Sequence, residues 1–213
     1  MRRLLKKLVR SAGLAALGVT VRLHDPRAVL LSFDDGPEPG VTEAILDRLA
    51  RYNARAVFFS IGEQVARWGD LLSMVHLAGH RIGNHSFGHP IAMPGNLSVV
   101  LDDMERCQAE VASRIGTPPT LYRPPLGQIR WSNLCAARRI GLSTVLWSVD
   151  SRDWQLTSRA EAEQRGRELA TTVRGGEIVL LHESNKYVLD VLDRLLPALA
   201  DRGLQLGRGA SQL

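Results

Sequence analysis

Residues 29 to 40, VLLSFDDGPEPG, run from an apolar stretch into two adjacent carboxylates, Asp34 and Asp35, and then into a Gly-Pro turn. Neighbouring negative charges repel, and a nearby cation is what makes such a pair tolerable. Further along, NHSFGH carries His85 and His89 four residues apart, close enough to share one ion if the segment is helical or tightly turned. Two histidines and one carboxylate suit a divalent ion such as zinc, with a position left open for water. Such an ion polarises a carbonyl and acidifies its water, which is hydrolytic chemistry. The second carboxylate is then free to take a proton from the attacking water.

Three more segments carry reactive side chains. In YRPPLG, Arg123 precedes two prolines that restrict the backbone, and an arginine near a general base holds that base ionised. VDSRDW offers Asp150 and Asp153 beside Trp154, whose indole could serve as a sugar-stacking wall or as a partly buried core residue. IVLLH ends an apolar run with His182, which opposite a metal could protonate a leaving amine.

These groups need elements that bring them together. Strands are expected at 28–33, 56–61, 80–84, 120–123, 143–149, 177–181 and, weakly, 204–207. Between them, VTEAILDRLARY sets Val41, Ile45, Leu46 and Leu49 on one helical face. YVLDVLDRLLPAL does the same with Val188, Leu192, Leu195 and Leu199, with Pro197 expected to kink or end the helix. Strands alternating with helices imply parallel strands joined by right-handed crossovers, as a β/α barrel or an open doubly wound sheet. In either architecture Asp34, Asp35, His85, His89, Arg123, Asp150, Asp153 and His182 follow or end strands and gather at the C-terminal face, where chemistry sits.

Composition narrows the rest. At 213 residues and 45% apolar content the chain suits one domain with a substantial core. Cys107 and Cys135 lie outside any short-spaced metal motif and are expected to be buried free thiols. The net charge of +5 comes from MRRLLKKLVR, which holds five basic residues and no acidic ones; positions 11 to 213 carry 22 of each sign, so a nucleic-acid groove is not expected. Residues 1–27 read as a basic N-terminal segment ahead of a single domain at 28–213. The segment resembles a weak signal peptide without a convincing cleavage site and is too short to span a bilayer. Two readings stand for it: a helix capping the domain, or, through residues 1–20, an amphipathic helix in peripheral contact with an anionic membrane. The expected location is cytoplasmic, with the inner face of a membrane and export both left open.

The ordered set SFDDGP, HSFGH, RPPLG, DSRDW and IVLLH resembles the five motifs of the NodB-type polysaccharide deacetylases, carbohydrate esterase family 4, across residues 29 to 206. The resemblance implies a distorted (β/α)7 barrel that removes acetyl groups from N-acetylated sugars with a divalent metal, usually zinc. It also implies Asp34 as general base, Asp35, His85 and His89 as metal ligands, Arg123 as the group orienting Asp34, and His182 as general acid tuned by Asp153. Trp154 and Leu180 would line the sugar and acetyl pocket, and the Leu126 N–H would help hold the tetrahedral oxyanion. Leu126 stands where the family usually has an aromatic residue, and Glu183 follows His182 where Asp is common. Two alternatives remain at this point: an O-acetyl esterase acting on xylan-type saccharides with the same site, and a non-catalytic saccharide-binding protein.

Overall fold

The computed structural model of the chain describes residues 13–90 and 95–213. The basic run at the start of the chain lies outside the described residues. Eight short strands form one sheet: β1 Val19–Thr20, β2 Leu30–Asp34, β3 Val57–Ser60, β4 Arg81–Asn84, β5 Leu121–Tyr122, β6 Ser143–Val145, β7 Val149–Asp150 and β8 Ile178–His182. Every pairing is parallel, in the order β1-β6-β5-β4-β3-β2-β8-β7. β2, β3 and most of β8 are buried, as near-continuous apolar runs in a parallel sheet require.

Five helices connect the strands, α1 Thr42–Arg51, α2 Gly62–Leu77, α3 Leu97–Ile115, α4 Trp131–Arg139 and α5 Arg159–Thr172, and α6 Val188–Asp201 follows the last strand. The helical faces expected from periodicity are the ones buried: Val41, Ile45, Leu46 and Leu49 at α1, and Val188, Leu192, Leu195 and Leu199 on α6. They pack in one core cluster with Phe33 and Phe58, whose rings stack with centroids 5.0 Å apart.

The expected single strand at 143–149 is instead two, and this break shapes the barrel. β6 pairs with β1 and β5, then the chain leaves that edge and β7 pairs with β8 at the opposite edge. Leu146 N–H donates to the Thr20 carbonyl at 2.8 Å, and Ser148 N–H to the Ile178 carbonyl at 3.1 Å. A link of three residues between Val145 and Val149 spans at most about 14 Å, so the two sheet edges must face each other. The sheet therefore curls into the distorted, incompletely closed barrel that the motifs imply.

Three local expectations need correction. Residues 204–207 form no strand; only an isolated bridge joins Ala28 to Gln205. α6 runs four residues beyond Pro197, held on both sides of it by buried Leu192, Leu195, Leu196 and Leu199, so the lost N–H is offset by packing. Both cysteines are free, but only Cys107 is buried, Cys135 lying half-exposed on α4.

Candidate active site

Because every strand points the same way, the polar residues that end them share one rim. Register sharpens this: Asp34 on β2 stands directly opposite His182 on β8. Adjacent strands lie about 4.8 Å apart, so the two side chains begin as neighbours. Across the barrel, Arg123 N–H donates to the Asn84 carbonyl at 3.0 Å, which brings His85 and Arg123 to the same level just beyond β4 and β5.

Asp34 is almost fully buried, which a carboxylate tolerates only when paired. Its partner is Arg123, wholly buried, whose Nη1 donates to Asp34 Oδ1 at 2.7 Å and to Ser32 Oγ at 2.9 Å. The guanidinium also donates to the carbonyls of Val145 and Leu146, each at 3.2 Å, and lies 4.0 Å over the Phe59 ring. Burial lowers the Arg123 pKa from its usual range, and the Asp34 charge and hydrogen bond oppose that shift. Asp34 Oδ2 is left facing His85 Nε2 at 3.6 Å.

His85 Nδ1 lies 2.7 Å from the Arg123 carbonyl. A carbonyl can only accept, so Nδ1 carries the hydrogen and Nε2 presents its lone pair to the cavity, the orientation a ligating histidine needs. Burial lowers the His85 pKa against the pull of Asp34 and Asp35, which keeps the ring neutral. Asp35 Oδ1 lies 3.7 Å from His85 Nε2 and 3.5 Å from His89 Nε2, and Ser184 Oγ donates to Asp35 Oδ2 at 3.0 Å. Ligand atoms of Asp35, His85 and His89 all lie within 4.8 Å of one another. A carboxylate and two imidazoles so converged fit a divalent ion. Asp35 (φ 75°), Ser86 (φ 68°) and His89 (φ 46°) all take left-handed backbone, so the ligand-bearing turns are held in a conformation side chains resist.

On the opposite wall, His182 Nδ1 bonds Asp153 Oδ1 at 2.7 Å, while Asp153 Oδ2 accepts from the His182 backbone N–H at 2.8 Å. Ser151 Oγ donates to Asp153 Oδ1 at 2.7 Å and fixes the carboxylate. Burial alone would lower the His182 pKa; the hydrogen bond and charge of Asp153, helped by Asp34 and Asp35, outweigh it and push the imidazole up to about 9.

The cavity between these walls has a volume of about 320 Å³ and is lined by Asp34, Asp35, His85, His89, Leu126, Trp147, Asp150, Trp154, Leu180 and His182. Leu180 is buried at its floor, while Leu126 and Trp154 are 59% and 55% exposed at its mouth. Arg123 and Asp153 lie behind the lining groups they contact. Sequence reasoning did not single out Trp147, because it lies inside a run read as one strand. It faces the cavity because the strand breaks there. Gly127 (φ 63°) packs against that ring, and a Cβ at this position would come within 2.6 Å of Trp147.

Glu183 is the other residue whose role sequence alone left open. Its side chain turns inward beneath the Asp34–Gly36 turn, where a Cβ on Gly36 would sit 1.8 Å from Glu183 Oε2. Thr42 Oγ1 donates to Glu183 Oε1 at 2.5 Å, but Oε2 is buried without a hydrogen-bond partner among the described residues. Burial, then repulsion from Asp35, Asp34 and Glu38, pushes this carboxyl up to about 8 against the Thr42 bond. A raised acid pKa favours folding below the unfolded value and costs stability as pH climbs from about 4.5 to about 8, at roughly 1.4 kcal/mol per unit. Glu183→Gln removes that titration. In denaturant titrations the variant should gain a few kcal/mol relative to the parent between pH 5 and pH 8. Parallel pH profiles for the two proteins would show that Glu183 is charged in the fold.

Residues 22–145 match the family model for polysaccharide deacetylase. The peptidoglycan-N-acetylglucosamine deacetylase of Listeria monocytogenes is 34% identical over 179 residues, covering 84% of this chain and 37% of that protein. A chitooligosaccharide deacetylase of Azorhizobium caulinodans is 29% identical over 211 residues, covering 91% and 98%. Among solved structures, a peptidoglycan N-acetylglucosamine deacetylase in complex with 4-naphthalen-1-yl-N-oxidanyl-benzamide superposes with a TM-score of 0.83 at 28% identity, covering 91% of this chain and 92% of that one. The chain thus spans little more than a third of the Listeria protein's length.

Proposed function

Since the chain belongs to the polysaccharide deacetylase family, we propose that it hydrolyses the N-acetyl group of an N-acetylglucosamine-type saccharide, releasing acetate and a free amino sugar. The observation that carries this reading is the register of β2 against β8. It sets a buried, arginine-held carboxylate and an aspartate-bonded histidine across one small cavity, beside a cluster of one carboxylate and two imidazoles.

Asp35, His85 and His89 would hold a divalent ion, most simply zinc given two nitrogen ligands and one oxygen. When bound, it supplies Lewis-acid polarisation of the acetamide carbonyl and acidification of water. Asp34 acts as base through Oδ2, since Oδ1 is occupied by Arg123; the free oxygen takes the proton of the attacking water. The Leu126 N–H, at the cavity wall, serves as a donor to the charge developing on the carbonyl oxygen. His182 is tied to Asp153 through Nδ1, so its Nε2–H is the proton delivered to the departing amine nitrogen. With its pKa near 9 the imidazole keeps that proton through the neutral range. Trp154, Leu126 and Leu180 bound the space for the sugar and the acetyl methyl, and the leucine at 126 leaves a wider mouth than an aromatic ring would.

The test is acetate release from N-acetylglucosamine oligomers and from O-acetylated xylan, using chelator-treated protein with and without added zinc. Zinc-restored release from the amino sugars is expected. Release from xylan alone would replace the amide reading with an esterase. No release from any substrate, with zinc shown to be bound, would point to a binding role.

A further inference from the structure

The near-zero charge of the body conceals a strong segregation. All 22 acidic residues fall within 25–110 and 150–201, whereas residues 1–24 and 111–149 hold 11 of the 27 basic residues and none of the acidic ones. The fold puts the described part of the first segment, residues 13–24, beside the second. Of the six basic residues described there, Arg22, Arg114 and Arg123 pair with Glu177, Glu110 and Asp34, which leaves Arg130, Arg138 and Arg139. β1 pairs with β6, Leu14 and Val21 pack with Ile129 and Leu134, and Arg138 donates to the Leu17 carbonyl.

On this flank α4 turns one stripe to solvent. Trp131, Arg138 and Arg139 project from it, and Arg130 precedes its first turn. Among the described residues none of the three arginines is in an ion pair. Trp131 is 71% exposed, the most exposed tryptophan on the molecule, and Leu17 is exposed beside the Arg138 contact. The first ten residues of the chain add five more basic side chains.

We propose that this flank docks on an anionic lipid bilayer, with the arginines over the headgroups and Trp131 in the interface. Arginines flanking an exposed indole match that surface: lipid phosphates attract the charge, and the amphipathic ring is stabilised at headgroup depth. Single-stranded nucleic acid is held along a basic groove by successive stacked rings, whereas α4 presents one exposed ring, Trp131. Leu126, which lines the candidate active site, stands five residues before Trp131 in the chain.

The experiment is co-sedimentation of the full chain with phosphatidylcholine vesicles, with and without phosphatidylglycerol, at low and high salt. No substrate is present, so the result is independent of the deacetylase reading. The parent should sediment with anionic vesicles only, and less so at high salt. The full-length triple variant R130Q/W131S/R139Q, with an unchanged unfolding temperature, should partition about thirtyfold more weakly, the loss expected of two basic groups near an anionic surface. Equal partition on both vesicle types would overturn the proposal. So would parent-like binding by the triple variant, which would assign all binding to the N-terminal run, or tighter binding to a single-stranded oligonucleotide than to the vesicles.

Discussion

Asp34→Asn should lower acetate release by about 10²- to 10⁴-fold while the protein still takes up its divalent ion. The reasoning is positional. Asp34 and Asp35 are adjacent in sequence, yet their side chains belong to different environments. Asp34 is buried against Arg123, with one oxygen consumed by that pair. Asp35, turned by its positive φ, meets His85 and His89 and is steadied by Ser184. An amide at position 34 keeps the shape and can still accept from Arg123 through its oxygen, but cannot take a proton from water. The ligand cluster is untouched. Acetate release under saturating substrate, paired with metal content by elemental analysis, separates the two roles. A variant with wild-type turnover would remove Asp34 from the chemistry, and one that loses its metal would make Asp34 a ligand.

Much of this site can be read from the sequence because strand ends in a parallel sheet are a common destination. Once 30–34, 81–84, 121–122 and 178–182 are recognised as parallel strands, Asp34, His85, Arg123 and His182 must meet at one rim. What the residues do not announce depends on pieces too short for any period. β1 and β7 have two residues each, below the length at which alternation carries a signal. The break at 146–148 looks like continued strand because Leu146 and Trp147 are as apolar as their neighbours. Glu183 reads as an ordinary polar residue after a strand, and only the packing under Gly36 shows its Oε2 trapped without a partner among the described residues. The charge segregation is invisible to a sum over the chain and emerges only when β1 is found beside β6.

Arg123 links the barrel's closure to its chemistry, and Arg123→Met should therefore cost about 3–5 kcal/mol of folding stability as well as most of the activity. The guanidinium reaches Val145 and Leu146 at the point where the chain abandons one sheet edge for the other, and these carbonyls gain their donors from it. It also neutralises Asp34 and bonds Ser32, which itself donates to the Val179 carbonyl on β8. A methionine fills similar space but leaves a buried carboxylate unpaired and several acceptors without a donor, and each loss is felt in a site closed to solvent. Arg123→Lys separates the contributions: a single ammonium can restore charge beside Asp34, yet it lacks the planar fork that spans Asp34 and both carbonyls. Urea titrations of the three proteins followed by tryptophan fluorescence should rank Arg above Lys above Met. A methionine variant within about 1 kcal/mol of the parent would show that the barrel closes without this residue, leaving its role to the orientation of Asp34 alone.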